Sequence, residues 1–457
     1  MRATIARSGG ARGRVVWMAS IALLSTTACI GSAPARYRAL NEDWQRSETK
    51  TVLVDVGERP FEGASLLERR ALVEQVLERN PTVRASRHAW RAALARYPQA
   101  RALDDPMLGV GVAPLSFGSN DVDAATKIEL SQKLPFLGKR RLRGEAALAE
   151  AEAAAHDFEA VRLRLATMAS LLFDDYALAA RSLEINAEHV ALLSEFKQIA
   201  TIRYEAGRGS GQDPIQAEVE LAHAIHREIL LKTAQRVTAS QLNALLHLPP
   251  SAPLPPAPAR DVRPSKLPEP PEALLEQALA GRPERAAAVA RVEAEQSRLD
   301  LAWREFMPDF TLTGAYNALW QETDLQPFVG IALNVPLQFG RRRAAIEEAE
   351  ARLEGARSQQ QAIETDVRLA VDVSIDRLGE ARHVERLFRD RLLPAARDQV
   401  AAARSGFESG RNSFLALIDA QRNLLDVELG YEEALADLAR RRAELDRSLG
   451  RIAGIGW

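Results

Sequence analysis

From Lys139 to about Tyr204 the chain carries no proline, and Ala, Leu, Glu and Arg follow one another without a turn signal. Phe158, Val161, Leu165, Met168 and Leu172 recur at spacings of 3, 4, 3 and 4, which is the seam of a coiled coil. About 65 residues at ~1.5 Å rise predict a rod on the order of 100 Å. A rod of that length cannot belong to a compact globule. A second one is expected from Arg341, with bends at Gly379 and Pro394. The residue supply agrees: 46% of the 457 residues are hydrophobic and 27% charged but only 5% aromatic, a balance typical of long helices. Net charge is −2 with both signs finely mixed, so no nucleic-acid partner is expected.

The rods belong to a plan written twice. "LVEQVLERNP" at residues 72–81 aligns with "LLEQALAGRP" at 274–283, Gly138 with Gly340, and "YEAGR" at 204–208 with "FESGR" at 407–411, all at offsets of 202 or 203. The first copy is assigned to residues 66–248 and the second to 272–450, leaving a short tail at 451–457. Residues 249–271, "PPSAPLPPAPARDVRPSKLPEPP", have too few backbone donors for a helix and read as an extended connector. Each copy runs in one order: a moderate helix (about Leu66–Tyr97, then Glu272–Phe306), two short alternating segments, a very long helix, a turn containing glycine, and a return helix.

The short segments predict four strands, at about 107–115, 125–135, 309–318 and 327–337. In "TKIELSQKL" Lys127, Glu129, Ser131 and Lys133 alternate with Ile128, Leu130 and Gln132; Leu108, Val110 and Val112 share one side, as do Phe310, Leu312 and Tyr316, and Val329, Ile331, Leu333 and Val335. Such segments are either hairpins lying on a soluble core or strands of a membrane barrel, and their recurrence in a rod protein favours the barrel. Four strands cannot close, and lipid offers an open edge no partner, so further copies must complete the wall. Two chains make a barrel filled by its own side chains, and three leave a lumen, so the expectation is a hollow homotrimer. "LPFLGKRR" at 134–141 and "VPLQFGRRR" at 335–343 then mark the place where a strand stops and a rod begins. Pro135 and Pro336 end the ladder, Gly138 and Gly340 bend the chain, and Lys139, Arg140, Arg341 and Arg342 stand at the polar boundary. A plain helix start with solvated charges fits these residues too.

At the N-terminus Arg2, Arg7, Arg12 and Arg14 precede the apolar run from Val15 to Leu24, the pattern of an export signal covering residues 1–28. "TTACIGS" resembles a lipobox, with Thr26 where Leu is usual, and this would make Cys29 a lipidated first residue at the head of an extended segment, 29–65. Ordinary cleavage beside an inert Cys29, the one cysteine, is the alternative.

The order of elements, "SQKLPFLGKRRLRGEAA", the two Y/F-E-x-G-R turns and "LIDAQRNLLDVELGY" together resemble the TolC-like outer-membrane efflux protein family, especially its lipid-anchored, metal-efflux CusC/CzcC-like branch. The resemblance covers essentially all of the mature chain. It implies a mainly α trimeric channel-tunnel with four strands per chain in a 12-stranded transmembrane barrel, above a long coiled-coil α-barrel. It further implies a passive export duct in the bacterial outer membrane for metal ions or small toxic compounds, docked to a periplasmic adaptor (membrane fusion) protein and an inner-membrane pump of the RND type. A duct for polypeptides and a non-conducting envelope scaffold are the competing readings.

By the same resemblance Ala206, Gly207 and Arg208, with Ser409, Gly410 and Arg411, form adaptor-docking tips, and Asp213, Phe407 and Asp419 stand near the periplasmic aperture. Ala416 and Phe407 replace an aspartate and a tyrosine of the family pattern, so a less polar gate is expected. The glycines serve equally as helix C-caps. For Asp213 an N-cap role ahead of Pro214 is favoured, and Asp419 fits a solvated face as well as a ring of like charges. Glu220, His223 and His226 in "ELAHAIH" are assigned to a solvated face, and no catalytic set, metal site or cofactor is expected.

Overall fold

The computed structural model describes residues 34–49, 60–118, 120, 124–258, 270–320 and 322–453. The export signal, Cys29 and the last four residues lie outside this set, as does 259–269 of the connector. The chain divides into two compact units, residues 1–49 and 50–457. In the first, helix α1 (Ala35–Thr49) occupies part of the segment expected to be extended. Its Ala, Leu, Glu, Gln and Arg are good helix formers, and neither glycine nor proline interrupts them.

The second unit holds both copies of the plan. The first comprises α2 (Arg69–Arg79), α3 (Pro81–Arg101), β1 (Met107–Val112), β2 (Thr126–Leu134), α4 (Lys139–Glu205) and α5 (Gln212–Leu245). The second comprises α6 (Pro271–Gly281), α7 (Pro283–Arg304), β3 (Phe310–Asn317), β4 (Pro327–Leu333), α8 (Phe339–Leu387), α9 (Leu393–Glu408) and α10 (Phe414–Ser448). The single opening helix expected in each copy is in fact two. Pro81 and Pro283 each start a new helix, because proline pushes the preceding residue out of the helical region: Asn80 has ψ 124° and Arg282 ψ 116°. Asn80 then caps α3 by accepting from the Thr82 amide at 2.9 Å.

Helix α4 runs 67 residues without a break, packed along α3, α5 and α7. Much of its buried surface is alanine, including Ala149, Ala151, Ala166 and Ala169, which lets the neighbouring rods approach closely. The second rod is interrupted. A π turn at Phe388–Leu392 separates α8 from α9, and the amide of Leu393 donates to the Phe388 carbonyl five residues back. Pro394 follows at once; it has no donor and its ring crowds the preceding turn, which the widened turn relieves. At Gly379, the other expected bend, the helix continues unbroken.

All four expected strands are present, joined as one antiparallel sheet in the order β1-β2-β3-β4. The register aligns Val110, Ile128 and Tyr316, then Leu108, Leu130 and Val329, and then Leu312 and Ile331, so these apolar residues share one face. That face is open: Leu108 is 70% and Ile331 74% exposed. Lys127 and Glu129 pair on the opposite face. Among the described residues the outer edges of β1 and β4 meet no other strand, and no helix is long and apolar enough to cross a membrane.

Candidate channel site: tips, aperture residues and the sheet–rod junction

At the tips both helix ends fold in the same way. The Arg208 amide donates to the Arg203 carbonyl and the Gly207 amide to Tyr204; the Arg411 amide donates to Gly406 and the Gly410 amide to Phe407. This is a Schellman end twice over, and it needs a left-handed residue, which Gly207 (φ 68°) and Gly410 (φ 73°) supply. The C-cap role of these glycines is therefore realised. Gly207, Arg208, Gly410 and Arg411 are all exposed, so capping leaves them free to meet a partner. Ser413 caps α10 by accepting from the Ala416 amide.

Beneath the turns, one apolar cluster joins the two hairpins, with Phe196, Ala217, Phe407, Phe414, Leu417 and Ile418 among its members. Phe407 is only 9% exposed, lies 5.5 Å from the Phe414 ring, and carries the Arg203 guanidinium 4.3 Å above its face. The resemblance puts this residue at an aperture, but within the chain its ring packs inside the hairpin pair. Being apolar where a tyrosine was expected, it gains more by burial than by lining a bore.

Asp213 also differs from expectation. Helix α5 begins at Gln212, whose amide donates to the Ser210 hydroxyl, so Ser210 serves the first turn and Asp213 lies within it. There its charge faces the positive end of the helix dipole. Asp419 is exposed on α10, near the guanidinium of Arg422. Arg422 itself forms a forked pair with Glu220 across α10 and α5. Glu220 is consequently buried, not on a solvated face, while His223 and His226 are exposed as expected. Among the described residues no three metal-capable side chains gather.

The junction between sheet and rods holds what the sequence reading missed. Lys139, expected at a solvated boundary, is 1% exposed. Its ammonium donates to the Asp309 carboxylate (2.9 Å), the Met307 carbonyl (2.9 Å) and the Glu305 carboxylate (3.2 Å). Asp309 also accepts from the Phe136 amide, and Arg304 donates to the Leu137 carbonyl at 2.8 Å. Arg140 is likewise engaged, on the Arg101 carbonyl, and Arg342 donates to the Glu305 carbonyl. Burying a lysine is tolerable only with such partners, and these all come from the second copy of the plan. The one available hint was an aspartate immediately ahead of a strand that neighbours β2.

The family described as outer membrane efflux protein matches this chain twice, over residues 72–246 and 274–451. The chain is 25% identical over 412 residues to the cobalt-zinc-cadmium resistance protein CzcC of Cupriavidus metallidurans, covering 89% of this chain and 95% of that protein. Identity to the outer membrane protein OprJ of Pseudomonas aeruginosa is 26% over 422 residues, which cover 85% of this chain and 84% of OprJ. A crystal structure of the CusC channel has the same fold, with a TM-score of 0.72 at 17% identity over 88% of this chain and 97% of that one. With rods, hairpins and tips laid out twice in one order, and with the family matched over both copies, this chain belongs to the outer membrane efflux protein family.

Proposed function

We propose that the protein is a passive duct of the bacterial outer membrane, assembled as a homotrimer and working in a tripartite efflux system. One observation carries the reading: a single sheet exposes a continuous apolar face, ends in two unpaired edges, and is tied directly to rods. In lipid the face is satisfied and the edges are not, so the sheet must be continued by further copies. Three copies of the four-stranded sheet give twelve strands, enough for an open bore. Trp303, in the last turn of α7, and Trp320, just past β3, are 55% and 50% exposed and suit the aromatic girdles of such a wall.

In this reading Gly207, Arg208, Gly410 and Arg411 meet a periplasmic adaptor, which links the duct to an inner-membrane pump of the RND type, and Asp213 and Asp419 lie near the periplasmic aperture. Cys29 carries an acyl anchor, a proposal that palmitate labelling with and without Cys29→Ser checks. The cargo is metal ions or small toxic compounds, and the likeness to CzcC, by name a cobalt-zinc-cadmium resistance protein, supports metal. Purified protein added to a planar bilayer should give stepwise conductance from a detergent-stable trimer. Monomers without conductance would refute the duct.

A further inference from the structure

The chain already contains one finished seam between its two copies of the plan. Strand β2 pairs with β3 from Lys127↔Asn317 to Leu134↔Phe310. At the rod end of that ladder Lys139 is buried against carboxylates and a carbonyl of the turn leading into β3. The duplication carries this seam onto the free edges. Leu134 and Pro135 correspond to Val335 and Pro336, and after the one-residue insertion of Phe339 the cation Lys139 corresponds to Arg341. On the other side Pro308 and Phe310 correspond to Pro106 and Leu108. So β4 stands where β2 stands, β1 stands where β3 stands, and the turn facing Arg341 is the one holding Asp104 and Asp105.

Two further features agree. The transferred register sets Val335 opposite Leu108, Leu333 opposite Val110 and Ile331 opposite Val112, keeping every apolar side chain on the face already apolar within the chain. The charges are also complementary and unspent: Arg341, Asp104 and Asp105 are exposed, and none has an ion-pair partner among the described residues. Gln132 of β2 holds the acidic turn at the edge by donating to the Asp104 carbonyl at 2.6 Å.

We propose that Arg341 of one copy pairs with Asp104 and Asp105 of the next, closing the β4–β1 seam between copies as Lys139 closes β2–β3 within each. Arg341 is thus an assembly residue whose site is incomplete in one chain. This rests on the homotrimer reading above. The test uses the full chain in detergent and a short bismaleimide cross-linker. Arg341→Cys combined with Asp105→Cys should give covalent dimers and trimers on denaturing gels, and neither single variant should. In parallel, Arg341→Glu should lower the temperature at which the trimer dissociates, and adding Asp104→Arg with Asp105→Arg should restore most of that loss. A trimeric wild type with no cross-link in the double variant and no change on charge reversal would overturn the seam and leave the duct standing. A monomeric wild type would remove both.

Discussion

The two copies share one plan, and they differ most where each meets its surroundings. In the first, Lys139 is sealed inside the chain; in the second, the corresponding Arg341 is exposed. The return helices show the same contrast. Helix α10 buries Leu417, Ile418 and Leu425, and α4 braces it through Arg181–Glu432, His189–Glu428 and Asp175–Arg440. Its counterpart α5 leaves Ile215, Val219, Ile225, Ile229 and Val237 exposed. In both cases a contact that one copy completes with the other has a counterpart left exposed, the surface that the proposed further copy would cover.

The largest expected effect concerns the open face itself. Lysines at Ile331 and Leu333 of β4 should abolish membrane assembly, since each costs about 2–4 kcal/mol on a lipid-facing strand surface. Lysines at Thr311 and Thr313, on the opposite face of β3, should be tolerated far better. Membrane flotation and trimer yield measure both, and equal insertion of the two double variants would break the assignment of faces.

Next comes the junction. Lys139→Met strands Asp309 without its ammonium, and breaking a buried pair from one side costs about 3–5 kcal/mol. Arg341→Met should change the unfolding free energy of a single chain by less than about 0.5 kcal/mol, as at most surface positions. Denaturant titration of both variants sharpens the contrast, and equal losses would show that the two cations do the same work within one chain.

Why the strands were legible and the junction was not follows from how each is encoded. A strand with one lipid-facing side writes its period into consecutive residues, as in Ile128 and Leu130 against Lys127 and Glu129, so a local reading finds it. The rods likewise announce themselves by the breakers they lack, and Gly207 and Gly410 by the left-handed turn they permit. Pro81 and Pro283 were equally visible, but the surrounding helical pattern masked the break each one makes. The burial of Lys139 depends on Glu305 and Asp309, more than 160 residues away, and nothing local distinguishes it from Arg341. The same holds for Glu220, whose partner Arg422 lies on the other copy's return helix.

Acid should loosen the brace between α4 and α10. The hydrogen bond from His189 holds the Glu428 carboxyl below its usual range, with Arg397 and Arg181 assisting against partial burial. A depressed carboxylate stabilises the fold fully above its unfolded pKa, about 4.3, and loses that contribution as pH falls through its lower folded value. Unfolding midpoints should therefore drop below about pH 4.5 in the wild type. Glu428→Gln should cost about 1 kcal/mol at neutral pH and flatten that part of the profile. An unchanged acid limb in Glu428→Gln would place the sensitivity elsewhere.

The smallest expected effect lies at the ends of the return helices. The second copy closes α10 with Gly450 (φ 76°), whose neighbour Arg451 donates to the Asp446 carbonyl. The first copy makes the same 6→1 bond after α5, from Leu248 to Asn243, but places His247 (φ 56°) at the left-handed position. A side chain there costs about 1–2 kcal/mol that glycine avoids, offset in part by glycine's greater freedom in the unfolded chain. His247→Gly should accordingly raise stability by about 0.5–1 kcal/mol. The reverse change, Gly450→Ala, should destabilise by more than its φ alone requires, because a Cβ there would press on the Gly281 carbonyl oxygen. Thermal unfolding of the two variants decides it: opposite signs mean that the first copy tolerates a strained end which the second, pressed against Gly281, cannot.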